Sequence, residues 1–125
     1  MLLGRCNEGK LILTTYLDGC LAGFPLPEWE EFEQACGAIR NSSRQLRDFR
    51  RLVIGGAEEV SLDNQGRIRL SPDHRSYAGL SNEIILVGQL SRFEVWAPAR
   101  HDSIYTQNFD QVTEELSKSG INIFI

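Results

Sequence analysis

The sequence has few of the residue types on which most enzymes and metalloproteins depend. Its 125 residues include two histidines, His74 and His101, and three cysteines, Cys6, Cys20 and Cys36. The cysteines are 14 and 16 residues apart, which matches neither a disulfide framework nor a zinc pattern. Each histidine has only an adjacent aspartate as a potential co-ligand, and adjacent residues point to different sides of a helix. We therefore predict free thiols, no metal, no cofactor and no catalytic residues.

Other absences narrow the function further. The sequence contains no glycine-rich phosphate loop with its lysine, and no Gly-x-Ser-x-Gly nucleophile motif. No apolar run approaches the roughly 18 residues that a membrane span needs. The N-terminus does not have the pattern of an export signal. These features predict a small cytoplasmic protein that is not an enzyme, has no small-molecule substrate and does not bind a membrane.

The most informative segment that is present is a turn, Asp63-Asn64-Gln65-Gly66-Arg67, between two alternating runs. The runs at 60–62 and 67–70 predict a hairpin with apolar side chains on one face. Arg67 and Arg69 then lie side by side on the other face. Asp63 and Asn64 favour a turn through local hydrogen bonds, and Gly66 supplies a positive φ.

A short helix is predicted directly after this hairpin. Ser71 is a typical N-cap, Pro72 suits the first helical position, and Gly79 is a typical stop signal. His74 and Arg75 lie one turn along that helix. We count both as candidate DNA contacts, although a capping or surface role is the alternative for His74.

The chain also contains an internal duplication. The segment from Lys10 to Pro25 superposes on Glu83 to Pro98 with a shift of 73 positions, so that Leu17 falls on Leu90. Each segment predicts a hairpin, with turns at Asp18-Gly19 and at Ser91-Arg92, followed by a helix that begins near a proline. The same shift places the first copy of the Asp63 turn about ten residues before Met1, so the first repeat is predicted to lack its start.

Helical segments connect and follow the repeats. Apolar residues at helical spacing predict a helical pair at 27–54, with Pro27 near its start and Ser43 as the second N-cap. A last helix is predicted from Pro98, with Tyr105, Phe109, Val112 and Leu116 on one apolar face. The apolar tail at 121–125 is expected to add a strand to a sheet, on this subunit or another.

Several of these segments together resemble the MraZ family, bacterial transcriptional regulators built from two AbrB-type swapped-hairpin half-barrels. The resemblance covers about residues 9–118. It is carried by Leu17 to Leu21, Pro25 to Glu30, Asp63 to Pro72, Tyr77 to Leu80 and Leu86 to Trp96. One departure is that family members have an Asp-x-x-x-Arg turn in both halves, whereas this sequence has only the second.

The resemblance implies an α+β fold of tandem half-barrels, the first truncated at its N-terminus. The expected divisions are a remnant of the first repeat at 1–26, the helical pair at 27–54, a complete second repeat at 57–97, and a C-terminal helix with its tail at 98–125. It also implies a ring-like homo-oligomer that is associated with the nucleoid. This oligomer is expected to bind tandem DNA repeats at the promoter of the division and cell-wall gene cluster and to repress transcription there. The expected DNA-binding residues are Arg67 and Arg69, with Asp63 orienting Arg67 and Gly66 forming the turn.

The charge distribution is compatible with DNA binding in spite of a net charge of −4. Five arginines crowd into residues 40–51, and acidic residues cluster at 28–33 and 58–59. Charges are screened beyond about 8 to 10 Å at physiological salt, so a local arginine array can bind phosphate on an acidic chain. A solvated helix face and salt bridges to a neighbour remain the alternatives for this arginine run.

Two other functions stay open at this point. One is an interaction protein that joins oligomers through unpaired barrel edges without binding DNA. The other is an AbrB-type antitoxin-like module that sequesters a protein partner.

Overall fold

The computed structural model describes residues 9–40 and 43–121, and these residues form one antiparallel sheet with helices around it. The strands are β1 (Lys10–Thr15), β2 (Leu21–Pro25), β3 (Glu58–Ser61), β4 (Ile85–Gln89) and β5 (Arg92–Trp96). Their order in the sheet is β3-β1-β2-β5-β4. The helices are α1 (Leu26–Gly37), α2 (Arg44–Gly55), α3 (Pro72–Ala78), α4 (Pro98–Asp102) and α5 (Val112–Lys118). The predicted α+β class is confirmed, and no described helix is long and apolar enough to cross a bilayer.

The two predicted β-hairpins are present, but their loops differ in length. Between β1 and β2, a three-residue 3₁₀ turn (Leu17–Gly19) contains a positive φ of 63° at Asp18. Between β4 and β5, Gln89 pairs with Arg92, so the loop is Leu90-Ser91 and the predicted turn at Ser91-Arg92 is wrong by one residue. Leu90 supplies the positive φ, 41°, that this tight loop needs, a conformation that few residues other than glycine adopt.

The two hairpins are related by an approximate two-fold axis. Leu13 pairs with Gly23 and Leu86 pairs with Val95, so β1 corresponds to β4 with a shift of 73 and β2 to β5 with a shift of 72. In the contact between the hairpins, Ala22 pairs with Glu94, which is its own equivalent under that shift. The axis therefore passes through the Ala22–Glu94 pair, and β1 and β4 are equivalent strands on opposite sides of it.

The core lies on both faces of the sheet. One buried cluster contains Leu11, Leu13, Leu21, Ala78, Leu80, Phe93, Val95 and Ala97, and it is covered by Val60, Leu62, Ile68, Leu70 and Tyr77. The other contains Ile12, Ala22, Phe24 and Trp29, covered by Tyr16, Phe32, Ile54 and Ala57. Alternate residues of β1 thus enter different clusters, as the two-residue period of a strand requires.

The helix boundaries largely follow the predicted signals. The hydroxyl Oγ of Ser43 accepts a hydrogen bond from the Leu46 amide at 3.2 Å and caps α2. Ser71 Oγ caps α3 in the same way, with the His74 amide at 3.2 Å. Gly79 ends α3 in the left-handed conformation, with φ 66°. Each cap was predictable because it joins residues no more than four positions apart.

The predicted continuous C-terminal helix is wrong. After α4, a 3₁₀ turn (Ser103–Thr106) leads into extended backbone at Gln107, and α5 begins only at Val112. The side-chain Oδ1 of Asn108 accepts a hydrogen bond from the Asp110 amide at 2.8 Å, which stabilises a local turn in place of helix. Tyr105 and Phe109 are consequently exposed rather than packed. Most of the predicted apolar tail strand, residues 122–125, lies outside the described residues.

Candidate nucleic-acid interface

The turn at residues 63–67 is organised by the carboxylate of Asp63. Its Oδ1 accepts hydrogen bonds from the backbone amides of Gln65 and Arg67, both at 2.8 Å. The Asp63 amide donates to the Arg67 carbonyl at 2.8 Å, and the Gly66 amide donates to the Asp63 carbonyl at 3.0 Å. The bond from the Arg67 amide is the main cause that lowers the pKa of Asp63 below its ordinary value. The turn is therefore closed by four short-range bonds around one ionised side chain.

Gly66 gives the turn its shape. Its φ is 76°, in the left-handed region, and no atom lies within 4 Å of the position that a Cβ would occupy. The requirement for glycine there is thus conformational rather than steric.

Arg67 is held at one edge of its guanidinium and open at the other. Its Nε lies 3.0 Å from Asp63 Oδ2, while the side chain is 70% exposed. Neither Nη nitrogen has a hydrogen-bond partner among the described residues. The two Nη nitrogens therefore face solvent on a side chain that Asp63 orients through Nε, and their planar fork suits guanine O6 and N7 or a phosphate.

Charged and apolar residues alternate after the turn, as predicted, but residues 67–70 do not form a strand. Ile68 and Leu70 pack on the core cluster, and Arg67 and Arg69 are exposed. Residues 67–70 carry no ladder pairing, so the predicted two-stranded hairpin is reduced to a turn whose returning segment is held by its apolar side chains. The arginines share the solvent side because their apolar neighbours bind the core.

Arg69 and Arg75 are brought together by tertiary structure. Both are exposed, and both line one shallow depression between the returning segment and α3. Arg67 borders a different groove, beside Leu62 and Ile68. The candidate arginines are thus one exposed side chain on the turn, Arg67, and a separate pair nearby.

The structure places His74, a predicted DNA contact, in the core and not on the surface beside the turn. The side chain is buried, with 1% of the residue exposed. Its Nε2 lies 2.7 Å from the Gly56 carbonyl oxygen and 3.3 Å from Glu58 Oε2. A carbonyl can only accept, so Nε2 carries the hydrogen. His74 therefore secures α3 to the segment before β3 and does not reach the surface.

No sequence pattern indicated the role of Glu58. Its Oε2 accepts a hydrogen bond from Ser71 Oγ at 2.8 Å, across 13 positions of sequence, while it also approaches His74. Glu58 thereby ties β3, which enters the turn, to α3, which follows it. This one carboxylate thus connects the elements that precede and follow the turn.

The arginine run at 40–51 is less available than its composition indicates. Arg44 and Arg51 both pair with Asp48, at 3.5 and 2.8 Å, and Arg40 donates to the Gly37 carbonyl at 3.3 Å. Such exposed pairs are worth little to stability, but they reduce the local positive charge. The turn is the better-defined candidate for a DNA contact.

The comparisons with known proteins all point to one family. A family model described as "MraZ protein, putative antitoxin-like" matches residues 53–119. A "Transcriptional regulator MraZ" of Nitratidesulfovibrio vulgaris, strain Hildenborough, is 56% identical over 122 residues, 98% of this chain and 81% of that protein. The protein of the same name in strain Miyazaki F is 51% identical over 123 residues, 98% of this chain and 82% of that protein. The one in Oleidesulfovibrio alaskensis is 47% identical over 121 residues, 97% of this chain and 80% of that protein.

Proposed function

The chain belongs to the MraZ family, and we propose that it is a transcriptional regulator that binds DNA through the turn at residues 63–67. The observation that carries this proposal is the state of Arg67, whose Nε is fixed by Asp63 while its Nη donors remain open. A reading residue needs this combination, because a side chain that is already oriented loses less entropy when it binds.

Each candidate residue has a distinct proposed role. Arg67 reads a base edge or a phosphate, and Asp63 acts as a positioning residue for it. Gly66 allows the turn to form. Arg69 and Arg75, which line a common depression, contact the phosphate backbone beside the base that Arg67 reads. These roles place specificity in the turn and the salt-dependent affinity in the surrounding arginines.

A single turn offers few contacts, so we propose that affinity comes from repetition. In a ring-like homo-oligomer, several turns would engage tandem repeats at once, which raises affinity by avidity. The proposed target is the promoter of the division and cell-wall gene cluster, where binding would repress transcription. Binding to this DNA would also associate the protein with the nucleoid. The proposed divisions are a first hairpin at 1–26, a helical pair at 27–54, a second repeat at 57–97 and a C-terminal segment at 98–125. The approximate two-fold axis between the hairpins supports the repeat.

The decisive experiment is a salt titration of binding to the upstream promoter DNA, with wild type, Arg67→Ala and Lys118→Ala. Lys118 is an exposed cation in α5, far along the chain from the turn. Its substitution by alanine removes one positive charge, as Arg67→Ala does. We expect wild type and Lys118→Ala to bind with a similar, steep salt dependence and Arg67→Ala to lose the preference for the promoter. Failure of the wild type to bind any DNA would overturn the proposal in favour of a module that binds a protein partner.

A further inference from the structure

The tip of the turn at residues 63–67 carries two side-chain amides, those of Asn64 and Gln65. Both residues are exposed. Neither side-chain amide has a hydrogen-bond partner in the part of the chain that the structure describes. The turn therefore presents to solvent two further hydrogen-bonding groups beside the guanidinium of Arg67.

The backbone of Gln65 is held by the same oxygen that holds Arg67. Asp63 Oδ1 accepts a hydrogen bond from each of the two backbone amides, at 2.8 Å in both cases. The two amide nitrogens are therefore less than about 6 Å apart, whereas successive bases on one DNA strand are about 3.4 Å apart. Side chains that begin so close together can reach the same base pair or neighbouring ones.

Gly66 leaves space between these two side chains. No described atom lies within 4 Å of the position that its Cβ would occupy. A residue without a side chain allows another molecule to approach the backbone closely. The edge of a base pair can therefore enter between Gln65 and Arg67.

The two side chains match different bases in the major groove. A guanidinium suits guanine, because it donates to both O6 and N7. A carboxamide has a donor and an acceptor, so it suits adenine, accepting from N6 and donating to N7. An amide and a guanidinium side by side can thus recognise two different purines.

We propose that Gln65 is a specificity-determining residue that reads an adenine within about two base pairs of the contact made by Arg67. This inference rests on the proposed function, because it requires the turn to enter the major groove. Gln65 is favoured over Asn64 for three reasons. Its backbone amide is fixed by Asp63, it lies nearer to Arg67 along the chain, and its side chain is longer by one methylene group.

The test is the selection of bound sequences from a randomised duplex library by the full chain, as wild type, Gln65→Ala, Asn64→Ala and Arg67→Ala. We expect wild type to select a motif with a defined adenine. Gln65→Ala should reduce the preference at that adenine alone, by about tenfold, because one bidentate contact is lost. Asn64→Ala is the matched control, since it removes the neighbouring amide, and it should select the wild-type motif. All three positions are exposed, so the variants should fold, and thermal unfolding checks this.

Base analogues on the selected duplex locate the contact. Replacing the adenine by 7-deazaadenine removes N7, which should weaken binding by wild type but not by Gln65→Ala. This comparison uses unmodified protein for its main result, so it does not depend on how a variant folds.

Gln65→Glu should change the preferred base. A carboxylate only accepts hydrogen bonds, so the preference should move from adenine towards cytosine, whose N4 donates. The added negative charge weakens binding to every duplex, and the measured quantity is therefore the ratio of affinities for the adenine and cytosine duplexes.

Three results would overturn the inference alone, with the proposed function upheld by relaxation of the motif in Arg67→Ala. The first is a Gln65→Ala motif identical to that of wild type. The second is loss of the adenine preference in Asn64→Ala in place of Gln65→Ala. The third is equal affinity of wild type for the adenine and 7-deazaadenine duplexes. A wild type that selects no motif would overturn both the inference and the proposed function.

Discussion

The carboxylate of Asp63 binds Arg67 twice, through Oδ1 to its backbone amide at 2.8 Å and through Oδ2 to its side-chain Nε at 3.0 Å. One residue therefore sets both the backbone turn and the direction of the guanidinium. Since the two bonds use different oxygens, substitutions at residue 63 can separate them.

Asp63→Asn should keep the turn and release the arginine. If the amide oxygen takes the place of Oδ1, it still accepts from the Arg67 amide, but an NH₂ group replaces Oδ2 and cannot accept from Nε. Asp63→Ala removes both bonds. We expect both variants to bind promoter DNA more weakly than wild type, with the alanine variant weaker, and faster exchange of the Arg67 amide in the alanine variant only. Equal DNA affinity of all three proteins would show that Asp63 does not position Arg67.

Arg67→Lys should distinguish base reading from charge. A lysine keeps the positive charge but has no planar fork, so it cannot make a bidentate contact to guanine. If Arg67 reads a base, Arg67→Ala costs about 1 to 3 kcal/mol on the preferred site. Arg67→Lys should then lose sequence preference but retain the salt slope. Measurement needs the promoter site and a scrambled site at several salt concentrations. A uniform loss on both DNAs would instead mean a phosphate contact.

The turn should resist acid down to low pH. Hydrogen bonds, first of all from the Arg67 amide, hold the pKa of Asp63 below its ordinary value of 3.8. A lowered folded-state pKa contributes stability that is present above the ordinary pKa and is lost as pH falls through the lowered one. The Asp63 carboxyl carbon and the Arg67 amide, followed by NMR, should therefore shift together with a midpoint below pH 3.8. A midpoint at or above that value would contradict the bonding described.

His74→Ala should destabilise the fold, and Arg75→Ala should not. The substitution at residue 74 removes a buried ring and its bond to the Gly56 carbonyl, which together cost about 2 to 4 kcal/mol. Arg75 is its exposed neighbour on α3, where a truncation costs no more than about 0.5 kcal/mol. Denaturant unfolding of both variants measures the difference. If His74→Ala were as stable as wild type but lost DNA binding, His74 would be a DNA contact after all.

Cys20 should be unreactive in the folded protein. It is 1% exposed, and burial is the main cause that raises the pKa of its thiol to about 12. The thiolate is the nucleophile, so almost none of the reactive form is present at pH 8. A Cys6→Ser variant leaves Cys20 and Cys36, and the pKa of Cys36 is also raised by burial. We expect a maleimide to label the Cys6→Ser variant slowly until denaturant is added. Adding Cys20→Ser to this variant leaves Cys36 alone and shows which labelling belongs to Cys20.

Local sequence was sufficient for the turn and the helix caps. The bonds of Asp63 reach Gln65 and Arg67, and the cap of α3 joins Ser71 to His74. Such interactions span two to four positions, so residue type and spacing specify them before the rest of the chain folds. The same reasoning located the two hairpins and their duplication. It missed the break at residues 107–111, where a local Asn108 turn prevailed over helical periodicity.

Tertiary structure decided everything that depends on which segments meet. The pairing of β3 with β1 spans about 50 positions, and the bond from Ser71 to Glu58 joins β3 to the start of α3. His74 is buried, and its Nε2 bonds to the Gly56 carbonyl across 18 positions. Sequence period shows that Leu86 alternates with Val87, but not that its strand is the last one in the sheet formed by residues 9–40 and 43–121. By itself, the sequence determined the turn at residues 63–67 and the equivalence of the two hairpins. Only the fold determined that one of the two equivalent strands is covered, because strand pairing is a long-range contact that no local pattern encodes.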